Sequence, residues 1–261
     1  MKHVLITGST RGIGLGLAKR FIEAGCKVSI NGMTEESVSL AIQTLQGIYP
    51  LAEIQGFAGD AGNYREVEMM WDQAVSGFGE IDIWINNAGI DQERKYAWEI
   101  ESAAFERIMR TNLLGVFNGS TAAFKRMLEQ GKGQIFNMEG FGSDGMMREK
   151  MTLYGTTKSA VRYFSRSLAK EAGKTPIRVG TLSPGMVVTD FLLKSAQANP
   201  DAEKNKRLFN ILADDVDTVT RFLSAEVLKN EKNNCHLVWL TQRKVLWRFL
   251  RAPFMKRDLF R

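Results

Sequence analysis

Seven short runs of β-branched or apolar residues punctuate the chain: Val4 to Thr7, Lys27 to Asn31, Glu53 to Phe57, Asp82 to Asn86, Gln134 to Met138, Ile177 to Leu182 and His236 to Leu240. Between them apolar residues recur every three or four positions, as in Leu15, Leu17, Ala18, Phe21 and Ile22, or Val67, Met70, Trp71, Ala74 and Val75. The first pattern predicts strands and the second amphipathic helices. Their strict alternation implies a parallel sheet with helices on both faces, because right-handed crossovers lay each helix back on the sheet. The predicted class is α/β, a doubly wound parallel sheet in three α-β-α layers. No internal repeat or low-complexity stretch suggests a second unit, so residues 1–242 read as one domain followed by a tail, 243–261. In such sheets ligands bind beyond the carboxyl ends of the strands, where the chemistry should be sought.

Composition narrows the picture. Of 261 residues 44% are hydrophobic and 25% charged, enough for one sizeable core and unlike disordered or collagen-like chains. No apolar run reaches the roughly 18 residues of a membrane span, and Met1-Lys2-His3 leads straight into the first strand. Neither a spanning helix nor a signal peptide is expected, and the expected compartment is the cytoplasm. Two cysteines, Cys26 and Cys235, and two histidines, His3 and His236, are too few for a zinc cluster or a disulfide framework, so no metal is expected. The net charge of +6 resides in the tail, where Arg243, Lys244, Arg248, Arg251, Lys256, Arg257 and Arg261 face one acid, Asp258. A neutral body with one basic, aromatic end argues against a nucleic-acid binder and for a local contact with something anionic.

The first strand runs into Gly8-Ser9-Thr10-Arg11-Gly12-Ile13-Gly14 and then a helical pattern. Glycines there let the chain turn sharply and let a phosphate reach the amides at a helix N-terminus. Alone, the same spacing suits a tight strand-to-helix turn of no further purpose. Its company changes the weighing: Asn86-Asn87-Ala88-Gly89 closes the fourth strand, Asn112 lies in Thr111-Asn112-Leu113, Tyr154-x-x-x-Lys158 opens a helix, and Ser183-Pro184-Gly185 follows the sixth strand.

In this set and order the sequence resembles the short-chain dehydrogenase/reductase family from Lys2 to about Leu240, which implies a Rossmann-like domain. Carried over residue by residue, Gly8, Gly12 and Gly14, with Ser9, Thr10, Arg11 and Ile13 between them, would cradle a dinucleotide. Asp60 and Ala61 would face the adenine, and Asn86, Ala88 and Gly89 would floor the ribose. Pro184, Gly185, Val187 and Thr189 would flank the nicotinamide. Hydride delivery to a carbonyl puts negative charge on its oxygen, which a proton must meet. Tyrosine is a weak acid at its reference pKa of about 10. Lys158, one turn on and on the same face, would lower that value and stabilise the phenolate, and the resemblance makes it a ligand of the nicotinamide ribose as well. Tyr154 is thus the expected proton donor, and Asn112 would hold a water linking Lys158 to solvent. The usual serine, about 13 residues before the tyrosine in this family, is missing from Phe136-Asn137-Met138-Glu139-Gly140-Phe141. Ser143 is the nearest candidate to polarise the carbonyl; a backbone amide, Asp144, or a plain turn role for Ser143 are the alternatives.

The second strand ends Ile30-Asn31-Gly32-Met33-Thr34, with no acid until Glu35. An acid there would bind the ribose 2′-hydroxyl of NAD and repel a 2′-phosphate, so NADP(H) is favoured over NAD(H), with Arg11 as candidate phosphate partner. The loop Phe136 to Gly145, Tyr154-Gly155-Thr156-Thr157-Lys158 and Leu182 to Asp190 are similar to the chlorophyll b reductase branch, which implies reduction of a 7-formyl group to hydroxymethyl. The expected substrate is therefore a bulky apolar aldehyde or ketone. A steroid, polyketide or 3-oxoacyl thioester is the rival, and a dinucleotide sensor or scaffold without turnover the other. Met146, Met147, Met151 and the stretch Phe191 to Phe209 are candidate substrate walls, and Asp91-Gln92-Glu93-Arg94 could line the same mouth or be a solvated loop. The tail suits an anionic membrane surface or a partner subunit, and a homo-oligomer, dimer or tetramer, is expected.

Overall fold

The computed structural model describes residues 1–189 and 202–254. All seven predicted runs are strands of one parallel sheet: β1 (His3–Ile6), β2 (Lys27–Gly32), β3 (Ile54–Ala58), β4 (Ile83–Asn86), β5 (Gly133–Met138), β6 (Ile177–Ser183) and, last, β9 (Cys235–Val238). A separate two-stranded sheet pairs β7 (Val187–Val188) with β8 (Asp214–Asp215). The helices are α1 (Gly12–Glu23), α2 (Glu35–Ile48), α3 (Tyr64–Phe78), α4 (Ser102–Met109), α5 (Gly115–Gln130), α6 (Thr152–Glu171), α7 (Ala202–Leu212), α8 (Val216–Lys229) and α9 (Gln242–Arg251). The sheet order is β3-β2-β1-β4-β5-β6-β9. Strand order reverses between β1 and β4, and a crevice opens there above the carboxyl ends.

The period of two along each strand divides the core. Val4, Ile6, Ile83, Ile85 and Phe136 face the layer of α1, α2 and α8. Leu5, Trp84 and Ile135 face α3, α5 and α6 through Met70 and Trp71, Ala123 and Met127, and Ala169 in turn. With both faces covered, the strands read as near-continuous apolar runs. Between α4 and α5 the chain makes a π-helical turn, Arg110–Leu114. Such a bulge rotates one residue out of helical phase, and here it carries the fully buried Asn112.

The helix α9 is amphipathic in an unusual sense. Arg248 turns inward, donating to the Leu212 carbonyl at 2.8 Å and to Asp214 at 2.6 Å. Leu246, Trp247, Phe249 and Leu250 are exposed. Among the described residues no helix is long and apolar enough to cross a membrane. The proposed substrate wall Phe191 to Phe209 falls partly outside the described residues, as do Lys256, Arg257, Asp258 and Arg261 of the tail.

Candidate active site

The glycine turn is fixed from both neighbouring strands. Gly8 (φ +60°) and Gly12 (φ +57°) adopt left-handed backbone. A Cβ on Gly8 would lie 2.6 Å from Ala88 Cα, and one on Gly14 would lie 2.5 Å from the Gly8 carbonyl oxygen. From β2, Asn31 accepts the Gly8 N–H at 3.1 Å through Oδ1 and donates to the Phe57 and Gly59 carbonyls. From β4, Asn87 Nδ2 donates to the Thr7 and Gly8 carbonyls at 3.0 and 2.9 Å. The Thr7 hydroxyl receives the amides of Asn87 and Ala88. Neither asparagine was singled out for this role by sequence reasoning, although both sit at a strand end beside the turn.

This cradle fits the pyrophosphate of a dinucleotide. No side chain caps α1: its N-cap is Arg11, without a side-chain hydrogen bond, and its first turn holds no acid. Thr34, Asn63, Asp215 and Thr241 cap α2, α3, α8 and α9, whereas α4, α5 and α6 share with α1 the lack of a side-chain cap. The amides opening α1 are thus left for an anion, which the helix dipole favours. Thr189 Cγ2 lies 3.7 Å from the Cβ position of Gly12, so the segment after β7 reaches the turn. Gly185 (φ +70°) turns the chain after the buried Pro184, and Val187 is buried. At the end of β2 Met33 is exposed, Thr34 is spent on capping α2, and Thr10 Cγ2 lies 2.5 Å from the Cβ position of Gly32; Arg11, next to Thr10 in the glycine turn, is exposed.

Several expected cofactor residues look elsewhere. The hydroxyl of Ser9 donates to the Ile6 carbonyl at 2.6 Å and receives the Asn31 amide, so it holds the turn from beneath. Asn86 is buried in a polar network, accepting from Trp84 Nε1 and donating to Ser120 and Asn137. Asp60 accepts from Arg110 Nε at 2.9 Å and from the Gly62 amide at 2.8 Å. Ala61 is buried, its Cβ packing 3.3 Å from the Cβ position of Gly115. Ile13, in the first turn of α1, packs on the core.

Tyr154 and Lys158 converge on the end of β5. The Cβ position of Gly140 is 2.5 Å from Tyr154 Oη and 3.2 Å from Lys158 Cε. Lys158 Nζ donates to the Met138 carbonyl at 3.1 Å and lies 3.7 Å from the Cβ position of Gly89, at the end of β4. Both residues are buried. The start of α6 is held by Gln92, whose Oε1 accepts the Tyr154 amide at 2.7 Å while its Nε2 donates to the Lys150 carbonyl at 3.0 Å. Beside it Arg94 and Asp91 form a two-pronged ion pair, at 3.0 and 2.6 Å. The stretch Asp91 to Arg94 is therefore a brace for the tyrosine helix. Asn112 Oδ1 accepts the Ile90 amide at 2.8 Å, and its Nδ2 donates to the Ile90 carbonyl and to Thr157 Oγ1. It fastens the chain after β4 to α6.

Burial raises the Tyr154 phenol well above its usual range, Asp91 adds to this, and Arg94 opposes it. Lys158 Nζ donates to the Met138 carbonyl and stands 5.8 Å from the ring centre. The phenol thus holds its proton firmly. Burial also lowers Lys158 to about 8, against an upward pull from Glu139.

The place opposite the Tyr154 hydroxyl belongs to Gly140. Ser143, three residues on, gives both its amide and its hydroxyl to the Gly140 carbonyl, at 3.1 and 2.7 Å. Its hydroxyl proton closes a turn, and the exposed Asp144 accepts the Met146 amide at 3.1 Å. Of the three methionines expected at the substrate wall, Met146 and Met147 are exposed and Met151 half-buried.

A model of the short chain dehydrogenase family matches residues 2–200. The probable chlorophyll(ide) b reductase NYC1 of Arabidopsis thaliana is 35% identical over 85% of this chain, which spans about half (47%) of that protein. A 3alpha-hydroxysteroid dehydrogenase of Mediterraneibacter gnavus is 37% identical over 76% of this chain and 78% of its own. Among solved structures levodione reductase superposes with a TM-score of 0.84 at 25% identity, covering 93% of this chain and 97% of that one. The chain belongs to the short-chain dehydrogenase family, whose members are NAD(P)-dependent oxidoreductases acting on carbonyl and hydroxyl groups.

Proposed function

We propose that the protein is an NADPH-dependent reductase of an aldehyde or ketone on a bulky apolar molecule, chlorophyll b reductase-like in taking a ring-borne formyl group to hydroxymethyl. The observation that carries this is the convergence of a proton-holding phenol and an ammonium arm on one point at the end of β5, beside an uncapped helix start. The dinucleotide supplies the hydride. Tyr154 Oη gives its proton to the carbonyl oxygen, and the Lys158 ammonium meets the charge left on the phenol. Asn112 and Gln92 keep α6 in register with the crevice. We assign Ser143 to the turn, leaving Tyr154 as the donor to the oxygen.

A steroid substrate is the second reading, favoured by the hydroxysteroid dehydrogenase relative, which this chain covers over most of its length. NADPH consumption with a formyl-bearing tetrapyrrole, a 3-oxo steroid and a 3-oxoacyl thioester separates them. Preference for the tetrapyrrole is expected. Turnover of the steroid alone transfers the assignment, and NADPH binding without any turnover returns the protein to a sensor.

Two features support NADP(H): the end of β2 carries no carboxylate to repel a 2′-phosphate, and Arg11 of the glycine turn is exposed and could meet one. Arg11→Ala is expected to weaken NADPH about tenfold, the worth of one charge-assisted contact, and to leave NADH unchanged. Equal affinity of the unaltered protein for both dinucleotides, by fluorescence titration, overturns the preference.

We further propose a homo-oligomer, on the apolar side chains that α5 and α6 leave exposed, Phe117, Leu128 and Tyr163. The proposed compartment is the cytoplasm, with residues 243–261 against an anionic membrane, because α9 turns Leu246, Trp247 and Leu250 outward beside Arg243 and Arg251. Sedimentation with phosphatidylserine vesicles should show salt-sensitive binding; none at low salt removes the membrane contact.

A further inference from the structure

The end of β5 holds a charge that neither the glycine turn nor the tyrosine requires. Glu139, next to the two residues that Lys158 touches, is 3% exposed. Its Oε2 accepts from His236 Nε2 of β9 at 2.9 Å, lies 3.7 Å from Arg162 Nη1 of α6, and receives a long contact from the Ser143 hydroxyl at 3.4 Å. Oε1 is buried and accepts no hydrogen bond among the described residues. A carboxylate taken out of water must be balanced by cations nearby. Lys158 and Arg162 stand four positions apart on α6, hence on one face, and two like charges so placed repel. Glu139 lies against that face.

We propose that Glu139 is a positioning residue, held by His236, whose buried negative charge keeps the Lys158 ammonium protonated and so sets the upper pH limit of the site. Among the described residues the titratable and charged groups facing this pair are few. From α6 they are Tyr154 and Arg162, from β9 His236, and from the loop after β4 the Asp91–Arg94 pair, which acts on Tyr154. Burial pushes the Glu139 carboxyl up, yet the hydrogen bond and charge of His236, the charge of Arg162 and a hydrogen bond from the Thr181 hydroxyl of β6 hold it below its ordinary range. It is therefore an anion at neutral pH. The lysine is the group at risk, because burial alone drives it toward the neutral amine. The sign follows: Lys158 is charged below its pKa, so function is present at low pH and lost as pH rises through that value. Taking away the Glu139 charge moves the loss to lower pH.

The test is Glu139→Gln, nearly the same shape without the charge, read in two ways across pH 5.5 to 10. One is kcat/KM for reduction, which rests on the reductase reading. The other is NADPH affinity by fluorescence, which does not, since Lys158 is the expected ligand of the nicotinamide ribose. A search that finds no substrate therefore leaves the second measurement standing. The expected result is an alkaline limb moved down by about one pH unit in both, and moved back by Glu139→Asp. Should the glutamine variant not fold, Glu139→Ser, smaller and neutral, takes its place. A loss uniform at all pH with the limb in place, as a packing defect gives, overturns the proposal.

Discussion

Tyr154→Phe is expected to lower kcat/KM about a thousandfold, the middle of the range for deleting a positioned general acid, while NADPH affinity stays within about twofold. The two parts of this result come from different atoms. The phenyl ring of Tyr154 is buried and the start of α6 is pinned through the Tyr154 backbone amide to Gln92. Phenylalanine keeps both, so fold and cofactor cradle persist and the proton alone goes. Ser143→Ala sharpens the comparison. Its hydroxyl donates to the Gly140 carbonyl at 2.7 Å, so its removal should cost less than about tenfold, in line with one turn-closing hydrogen bond. A loss of about a hundredfold or more in Ser143→Ala would instead make it a donor to the developing oxyanion. Undiminished turnover in Tyr154→Phe would remove the proton donor from the scheme altogether.

The sheet was legible because its central strands β1, β4 and β5 are almost wholly buried and read as apolar runs, while the edge strands β3 and β9, only half-buried, still carry enough apolar residues to stand out. Even the last, with His236 in its middle, follows from Leu237 and Val238. The glycine turn and the Tyr154–Lys158 pair were legible because their chemistry depends on residue type at fixed spacing. What escaped was long-range. Asn31 and Asn87 clasp the same turn from strands that are neighbours of β1 in space only. Gln92 read as a loop residue because its partner is a backbone amide 62 positions away. Glu139 lay unremarked within the stretch searched for a hydroxyl, and its meaning depends on β9 lying beside β6, which brings His236 to it. The state of Tyr154 was hidden for a related reason: spacing reports that a lysine is one turn away, not that its ammonium faces a carbonyl or that burial raises the phenol.

Gly8→Ala is expected to abolish dinucleotide binding, and Gly25→Ala to leave it intact, although both glycines have positive φ. The contrast isolates what the first turn needs. At Gly25 (φ +75°) nothing lies within 4 Å of an added Cβ, so alanine meets only the left-handed penalty of about 1 kcal/mol. At Gly8 (φ +60°) the same methyl carbon would stand 2.6 Å from Ala88 Cα and 3.1 Å from its amide nitrogen. Backbone has no rotamer into which it can retreat. The turn must move off β4, breaking the Asn87 bonds to the Thr7 and Gly8 carbonyls and the Thr7 bonds to two amides. Those four bonds aim the amides at the start of α1, and a pyrophosphate needs them converged. Fluorescence titration with NADPH should show at least a hundredfold weakening in Gly8→Ala, equivalent to about 2.7 kcal/mol, against less than twofold in Gly25→Ala. Comparable affinities in the two variants would mean that the anion is held by side chains such as Arg11, and that the glycines serve only to let β1, β2 and β4 close upon one another.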